Sequence, residues 1–279
     1  MTAGGDANAA EMASKEERSR SFGTIAPRYE CFRPGPPVAA VDWYLPERVG
    51  RVVDLGAGTG ALTRLLVDRA DEVIAVEPDE RMRAVLSEQV PHAEARDGRA
   101  ESIALTDATV DAVLASSSWH WVDPVLAVGE VARVLVPGGL LGAVWSGPDP
   151  DGSFMSQARE LLAHQDDDDE VEPSAPGLSS LILGDSLRPE FVLTIPEGLP
   201  FTEPEHRVFA WDMALTADEL IGLLETLSWI ITMPEERRRP VIATARRLLS
   251  ELLGVEGDVT VDVDFRADAW RCYRTDDSV

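Results

Sequence analysis

Along the first half of the chain, short runs of apolar residues alternate with stretches in which apolar residues recur every three or four positions, as on one face of a helix. Val52 and Val53 form a β-branched run, a glycine-rich turn follows, and apolar residues then recur at helical spacing as far as Ala70. Strands that alternate with helices predict a doubly wound α/β fold with a parallel sheet, because the crossover helices cover both faces. Further strands are predicted over 72–76, 110–115 and 140–145, and helices are predicted to begin near Asp79 and Asp123.

The pattern changes after residue 150 and divides the chain into four parts. Residues 1–20 are polar and are predicted to be a disordered tail, and residues 21–150 form the α/β core with an N-terminal lid. Residues 151–204 are predicted to be a cap insertion with an acidic loop, and residues 205–279 to complete the sheet. Alternating positions in this last part predict strands over 207–213, 259–265 and 267–273. The last two are either a β pair or one bent strand.

The turn Gly56-Ala57-Gly58-Thr59-Gly60 joins the first strand to its helix and is interpreted as a cofactor loop. Glycines at alternate positions allow positive φ and let a ligand approach the backbone closely. A dinucleotide fingerprint also fits, with Glu77 at the distance expected of a ribose-binding acid. Asp54 favours a cationic ligand, because a carboxylate here opposes the pyrophosphate that a dinucleotide places at this helix N-terminus. S-adenosylmethionine carries an amine and a sulfonium but no phosphate, so it is the cofactor we expect.

Several segments together resemble one enzyme family. The run 52–60, Val-Val-Asp-Leu-Gly-Ala-Gly-Thr-Gly, resembles motif I of the class I S-adenosylmethionine-dependent methyltransferases. Residues 73–78 resemble the second strand of that family, 98–101 its adenine-side turn and 110–115 its fourth strand. Residues 116–123, Ser-Ser-Ser-Trp-His-Trp-Val-Asp, are similar to a segment of the branch that includes trans-aconitate methyltransferase-like proteins. The resemblance implies a Rossmann-like sheet of seven strands, with an antiparallel seventh strand and a cap after strand five.

The resemblance also implies roles for individual residues around the cofactor. Glu77 takes both ribose hydroxyls, and the turn 98–101 lies against the adenine. Arg99 stands where the family commonly has an acid that accepts from the adenine amino group. The adenine amino group is then bound either by backbone groups around Ala100 or by the side chain of Asp97 or Glu101. The cofactor-binding residues expected on this basis are Phe22, Tyr29, Arg33, Asp54, Gly56, Ala57, Gly58, Thr59, Glu77, Pro78, Arg99, Ala100, Glu101 and Ser116.

The N-terminal element, residues 21–34, resembles one that lies over the cofactor in this branch. Phe22 and Tyr29 then cover the ligand, and Arg33 reaches a carboxylate on the cofactor or the acceptor. The other interpretation is a surface helix whose aromatic residues pack on the domain.

An aromatic cluster follows the strand 110–115, at the sheet edge where doubly wound folds bind ligands. His120 is the candidate catalytic residue in this cluster. It is either a general base, since an imidazole titrates near neutral pH, or a positioning residue that orders the loop. Methyl transfer often needs only alignment and desolvation of the nucleophile. Trp119, Trp121 and Trp145 are predicted to line the acceptor site, with one of the first two in the core.

The charge of the chain narrows the choice of partners. A formal net charge of -25 disfavours nucleic acid, which needs a clustered cationic surface. Apolar runs are too short to span a bilayer, and residues 1–20 lack the apolar centre of a secretory signal. Cys31 and Cys272 fit a reducing cytoplasm, and the acidic run 166–172 lacks the spacing of a calcium loop. We expect a cytoplasmic monomer or homodimer that binds neither a metal nor a membrane.

These features predict an S-adenosylmethionine-dependent methyltransferase that acts on a small molecule, either a carboxylate or a metabolite hydroxyl or amine. Two alternatives stay open. One is an NAD-dependent oxidoreductase, which Asp54 and the C-terminal strand disfavour. The other is a protein that binds S-adenosylmethionine without transferring its methyl group.

Overall fold

The computed structural model describes residues 21–165, 191–253 and 258–276. The predicted tail, residues 1–20, and the predicted acidic loop around residues 166–172 lie outside the described residues. Within the described ranges, seven strands form one sheet in the order β3-β2-β1-β4-β5-β7-β6. The strands are β1 Val49–Leu55, β2 Ala70–Val76, β3 Glu94–Arg96, β4 Val110–Ser116, β5 Leu135–Pro148, β6 Glu205–Thr216 and β7 Thr260–Tyr273.

Strand β7 runs against the other six strands of this sheet. β1 pairs in parallel with β2 and β4, β2 with β3, and β4 with β5. β7 is antiparallel to β5 on one side and to β6 on the other. The predicted Rossmann-like sheet with an antiparallel seventh strand is therefore confirmed. β7 is one continuous strand, so the alternative of a β pair is excluded.

Helices cover both faces of the sheet and the carboxyl ends of its central strands. One face is covered by an apolar cluster that includes Val41 and Leu66, and the other by a cluster that includes Val128 and Val131. Within the described residues the helices are α1 Ala26–Phe32, α2 Val38–Tyr44, α3 Thr63–Leu66, α4 Glu80–Gln89, α5 Pro124–Val134, α6 Ser153–Gln165, α7 Ala217–Glu225, α8 Ser228–Ile231 and α9 Glu235–Leu253, with 3-10 turns at Phe22–Ile25 and Trp119–Trp121.

Side chains cap three helices in the described residues. Asp79 Oδ1 accepts a hydrogen bond from the backbone N–H of Arg81 at the start of α4. Asp123 accepts hydrogen bonds from the backbone N–H groups of Val125 and Leu126 at the start of α5. Thr216 and Glu219 form a reciprocal capping box at the start of α7. These caps satisfy N–H groups that have no partner inside their helices.

Two predicted boundaries were wrong. The helix after the glycine turn spans only Thr63–Leu66, and Ala70 is the first residue of β2, where it pairs with Val49. The first residue of β2, Ala70, pairs with the first residue of β1, Val49, so the chain has to turn within residues 67–69. β5 begins at Leu135 and not at residue 140, since Leu135 already pairs with Val110 before a shift in register.

The cap has two parts, and the second part was not predicted as cap. α6 follows β5, whereas α7, α8 and α9 lie between β6 and β7. α7 contacts the N-terminal helix α1, and α9 contacts both α6 and α7. Phe154 and Met155 of α6 pack with Leu220 and Leu223 of α7 in one apolar cluster. Residues 217–253 therefore form cap, although the sequence interpretation assigned 205–279 to the sheet.

Candidate functional site

A cavity of about 1040 Å³ lies at the carboxyl ends of the central strands. Its walls come from the glycine loop, the end of β2, the segment 116–122 after β4, the end of β5, the N-terminal element and the cap. This is the edge where doubly wound sheets bind their ligands, because loops from neighbouring strands diverge there.

The glycine loop adopts backbone conformations that glycine tolerates best. Gly56, Gly58 and Gly60 have φ angles of 65°, 58° and 98°. A Cβ atom at Gly56 would lie 2.5 Å from Cβ of Ser118, so the loop and the segment after β4 approach each other closely. A Cβ atom at Gly58 would meet only Met82 Cε, at 3.9 Å. Gly58 is therefore the point at which the loop backbone borders open cavity.

Glu77, at the end of β2, has both carboxylate oxygens held by backbone N–H groups. Gly58 N donates to Oε2 and Asp79 N donates to Oε1, each at 2.9 Å. Burial raises the pKa of this carboxyl group above its usual value, and the two hydrogen bonds oppose the rise. Each oxygen keeps a second lone pair, so Glu77 can accept hydroxyl hydrogen bonds from a ligand.

Asp54 is fully buried and does not line the cavity, in contrast to its predicted contact with the cofactor. Thr63 Oγ1 donates to its Oδ2 at 2.6 Å, and its Oδ1 has no hydrogen-bond partner among the described residues. Burial raises the pKa of Asp54 to about 7, and the charge of Glu77 adds to the rise. The prediction from the sequence that the charge of Asp54 favours a cationic cofactor is therefore weaker, because near neutral pH this carboxyl group is ionised only in part.

The turn after β3 brings Ala100 and Glu101 to the cavity. Glu101 Oε1 accepts a hydrogen bond from the N–H of Asp123 at 2.9 Å, which ties the turn to the start of α5. Asp97 is paired with Arg83 at 2.9 Å and does not line the cavity. Of the two acids considered for the adenine amino group, Glu101 therefore has access to a ligand and Asp97 does not.

The ring of His120 is oriented by Trp145. Trp145 Nε1–H donates to His120 Nδ1 at 3.1 Å. Because Nδ1 accepts, the neutral imidazole carries its hydrogen on Nε2 and is a donor at that atom. Phe191 stacks on Trp145 with ring centroids 5.5 Å apart and lies 4.8 Å from the ring of His120. This geometry favours a positioning role for His120 over that of a general base.

The N-terminal element lies against the aromatic cluster. The Phe22 ring contacts Tyr29 and Trp121 edge-on, with centroids 5.6 and 6.0 Å apart, and all three rings line the cavity. A Cβ atom at Gly23 would overlap the Asp79 carboxylate, so this element approaches the start of α4 closely. The structure thus favours a lid over the other interpretation, a helix that merely packs on the surface.

The cavity brings together most of the residues predicted to bind the cofactor or the acceptor. Ala57 and Thr59, like Asp54, are buried in or behind the loop and do not line it. Trp119 belongs to the core as well as to the cavity wall, as expected for one of the two tryptophans. The predicted residues that line the cavity are Phe22, Tyr29, Arg33, Gly56, Gly58, Glu77, Pro78, Arg99, Ala100, Glu101, Ser116, Trp119, His120, Trp121 and Trp145.

Sequence analysis missed the wall that the second part of the cap forms. Leu220, Ile221, Leu223 and Leu224 of α7 line the cavity. The sequence interpretation assigned this part of the chain to completion of the sheet, and a helical period does not show which neighbouring element the apolar face of a helix contacts. Phe191 was also missed, since it follows a segment without periodic signal.

Two absences hold for the portion of the chain that the structure describes. In that portion, the helices are too short or too polar for a membrane crossing. The same portion contains no cluster of three or more His, Cys, Asp or Glu side chains that could hold a metal ion.

Comparisons with known proteins point to one family. A family model described as a methyltransferase domain matches residues 53–143. An uncharacterized methyltransferase of Mycobacterium tuberculosis is 40% identical over 237 residues, which cover 85% of this chain and 88% of the relative. A methyltransferase-like protein of Schizosaccharomyces pombe is 31% identical over 261 residues, covering 92% and 93%. A solved structure described as a type II methyltransferase from Anaeromyxobacter dehalogenans has a TM-score of 0.61 at 24% identity and covers 87% of this chain and 98% of that one.

Proposed function

The chain belongs to the class I methyltransferases, and from this premise we propose that it transfers a methyl group from S-adenosylmethionine to a small-molecule acceptor. The observation that carries the proposal is the pairing of Glu77 with Gly58. One carboxylate, oriented by two backbone N–H groups, borders the cavity beside a loop glycine that leaves space for a ligand.

The charges at this end of the cavity fit a cationic cofactor. Glu77, Asp79 and Glu101 line it together with Arg33 and Arg99. A dinucleotide would bring the two negative charges of its pyrophosphate to this acidic surface, whereas S-adenosylmethionine brings an ammonium and a sulfonium. These charges, and not that of Asp54, therefore support S-adenosylmethionine over a dinucleotide as the cofactor.

S-adenosylmethionine supplies an electrophilic methyl group on a positively charged sulfur when it is bound. Glu77 accepts hydrogen bonds from the ribose hydroxyls, and the backbone around Ala100 together with Glu101 reads the adenine. Phe22 and Tyr29 exclude water from the cofactor side. Holding two reactants in line supplies about 7–11 kcal/mol of the barrier reduction, so positioning by the protein accounts for a large part of catalysis.

The acceptor binds on the far side of the aromatic cluster, against Trp121 and Trp145. His120 donates from Nε2 to a polar atom of the acceptor and orients it. A carboxylate acceptor, which the resemblance to the trans-aconitate methyltransferase-like branch permits, is already nucleophilic and needs no base. A hydroxyl or amine acceptor is compatible with the same walls.

The test of the cofactor is calorimetric titration with S-adenosylhomocysteine, with NADH titrated in parallel. We expect S-adenosylhomocysteine to bind and NADH not to bind. Binding of NADH alone would replace the proposal by an oxidoreductase, and cofactor binding without turnover on any acceptor would leave a silent binding protein.

A pair of glycine variants then tests the loop. Gly58→Val should abolish binding of S-adenosylhomocysteine, because the side chain would fill space beside Glu77. Gly138→Val is the matched control, since Gly138 has a φ of 76° with nothing near its Cβ position and lies away from the cavity. Both variants carry the cost of a left-handed backbone, roughly 1–2 kcal/mol, so a difference in affinity alone reports on the site. Equal affinity of the two variants would remove the loop from the site.

A further inference from the structure

The cavity extends beyond the space described so far into a chamber walled by the cap. We propose that the methyl acceptor is an amphiphile, with one polar head group at His120 and a hydrocarbon tail in this chamber. The inference rests on the proposed function, which it makes more specific. The chamber is defined by the cavity-lining residues Phe154, Met155, Ala158, Leu220, Ile221, Leu223, Leu224, Leu227, Ala245, Leu249 and Phe265.

The chamber wall is mostly apolar, and the polar lining residues beside it include Thr226 and Ser228, at the junction of α7 and α8, and Arg266 and Asp268 on β7. α6, α7, α9 and β7 each present hydrophobic side chains, and the wall residues Phe154, Leu220 and Leu223 are at most 9% exposed. Transfer of a hydrocarbon from water to such a surface is favourable, whereas a polar ligand would lose its hydration without gaining partners. The chamber is therefore built for the apolar part of a ligand.

Most charged residues of the cavity lie on other elements than the chamber wall. Glu77 and Asp79 follow β2, Arg99 and Glu101 follow β3, and Arg33 follows α1. The remaining charged lining residues, Arg266 and Asp268, pair with each other, and Asp268 Oδ1 also lies 2.9 Å from Nε2 of the lining residue His206. Arg266 Nε donates to Asp268 Oδ2 at 2.9 Å and Nη2 donates to Oδ1 at 2.8 Å. The described lining thus offers no surplus of arginines over acids, and an acceptor with several carboxylates would enter a neutral or acidic surface.

The boundary between the two halves carries the polar groups that suit a single head group. His120 donates at Nε2, because Trp145 occupies Nδ1. Ser146, at the end of β5, lines the cavity, and its Oγ is buried without a hydrogen-bond partner among the described residues. A buried hydroxyl without a partner costs free energy, and the polar head of an acceptor would supply the missing hydrogen bond.

The size of the cavity allows both molecules at once. Small-molecule sites commonly measure about 300–1,000 Å³, and this cavity, at about 1040 Å³, lies just above that range. Glu77 and Gly58 would hold the cofactor, whereas the chamber residues belong to other elements, namely α6, α7, α9 and β7. The tail of the acceptor therefore points away from the cofactor, into the cap.

The test uses the full-length protein saturated with S-adenosylhomocysteine. The probes are straight-chain monocarboxylic acids and primary alcohols of four, eight and twelve carbons, with citrate as the polyanionic comparison. Each buried methylene changes affinity about fourfold, so Kd measured by calorimetry should fall on the order of a hundredfold from four to eight carbons. Citrate should bind no more tightly than the four-carbon acid. A Kd that does not depend on chain length, or tightest binding of citrate, overturns the proposal.

Two alanines allow the chamber itself to be tested. Ala245 lines it and is 5% exposed, whereas Ala243 lies on the same helix but is exposed and outside the cavity. Ala245→Leu should weaken binding of the twelve-carbon acid by roughly tenfold or more, since the added atoms occupy tail space. Ala243→Leu should bind every probe as the wild type does. Ala158→Leu, on α6, repeats the test if Ala245→Leu does not fold.

These experiments distinguish failure of the proposed function from failure of the inference about the acceptor. If the wild-type protein does not bind S-adenosylhomocysteine, the proposed function fails. If it binds S-adenosylhomocysteine but shows no dependence on chain length, or if Ala245→Leu and Ala243→Leu behave alike, the inference about the acceptor fails alone.

Discussion

At the scale of single residues, the direction of one hydrogen bond changes the role of His120. Trp145 donates to Nδ1, so the neutral ring has no lone pair left with which to take a proton from an acceptor. Removing a proton would first require the bond to Trp145 to break. A histidine held in this way orients an acceptor better than it deprotonates one.

His120→Gln and His120→Ala separate these two roles. The amide nitrogen of glutamine can take the place of Nε2 as a donor, but it cannot act as a base. We expect His120→Gln to retain kcat within about tenfold of the wild type and His120→Ala to lose more. If His120 is the base, both variants should lose about 100-fold or more, since general-base catalysis contributes on that order. Steady-state kinetics on any accepted substrate decides between the two.

Asp54 shows how burial alone changes the chemistry of a side chain. Its pKa of about 7 in the folded protein lies above the ordinary value of 3.8 for this side chain, so the folded state binds a proton more tightly than the unfolded state does. The stability that Asp54 contributes is therefore present below about pH 4 and is lost as the pH rises toward 7.

The substitution Asp54→Asn removes this pH dependence of stability and keeps a side-chain oxygen that can accept the hydrogen bond from Thr63 Oγ1. The variant should raise the free energy of unfolding at pH 8 by up to about 4 kcal/mol, and the gain should shrink between pH 7 and 4. Urea denaturation at several pH values measures the difference. Asp71→Asn, at an exposed position, is the control that should show no such trend. A gain that grows as the pH falls would contradict the assignment.

At the scale of elements, α1 packs on α7, and both helices line the cavity. Gly222 of α7 lies so close to Phe32 of α1 that a Cβ atom would overlap its ring. Arg28 of α1 pairs with Glu225 of α7, and Glu30 pairs with Arg64 beside the glycine loop. The lid therefore joins the cap to the cofactor half of the molecule, so its position affects both ligands.

Gly222→Ala should push α1 away from α7. Overpacking of this kind costs about 1–3 kcal/mol, more than the roughly 1 kcal/mol that alanine gains over glycine inside a helix. We expect a lower urea midpoint, faster hydrogen exchange in α1 and weaker binding of S-adenosylhomocysteine. Gly129→Ala in α5, where nothing lies within 4 Å of the Cβ position, is the matched control and should stabilise the protein. Equal behaviour of the two variants would mean that the lid does not depend on this contact.

At the scale of the whole molecule, the dominant electrostatic feature is the net charge of -25. Many ion pairs lie at the surface, where each contributes little, so mutual repulsion of the acids outweighs them. The folded state concentrates this charge in a smaller volume than the unfolded chain does. Salt that screens the charge should then favour folding.

Raising sodium chloride from about 0.1 M to about 1 M shortens the Debye length from about 10 Å to about 3 Å. We expect the thermal midpoint to rise over this range, as followed by circular dichroism. Chloride is used because sulfate stabilises folded proteins through exclusion from their surface, whatever their charge. A falling midpoint would mean that the surface ion pairs outweigh the repulsion.

The sequence alone determined the features that depend on neighbours along the chain. The strand, glycine turn and helix around Gly58, the acid at the end of β2 and the aromatic cluster after β4 each lie within one short segment. Local period and turn chemistry specify such segments. The resemblance of these segments to a family then extended the prediction to a sheet of seven strands with an antiparallel seventh strand, whereas the order of the strands came from the structure.

Only the tertiary structure decided what depends on residues far apart in sequence. Burial of Asp54 raises its pKa, Trp145 sets the tautomer of His120 from 25 positions away, and α7 and α9 face the cavity from the connection between β6 and β7. Desolvation, the direction of a hydrogen bond and the element that a helix packs against all depend on residues that are distant in sequence. A local sequence pattern therefore does not predict them. The residues around Gly58 and Glu77 that line the cavity were therefore largely predictable, whereas the wall that α7 and α9 add to it was not.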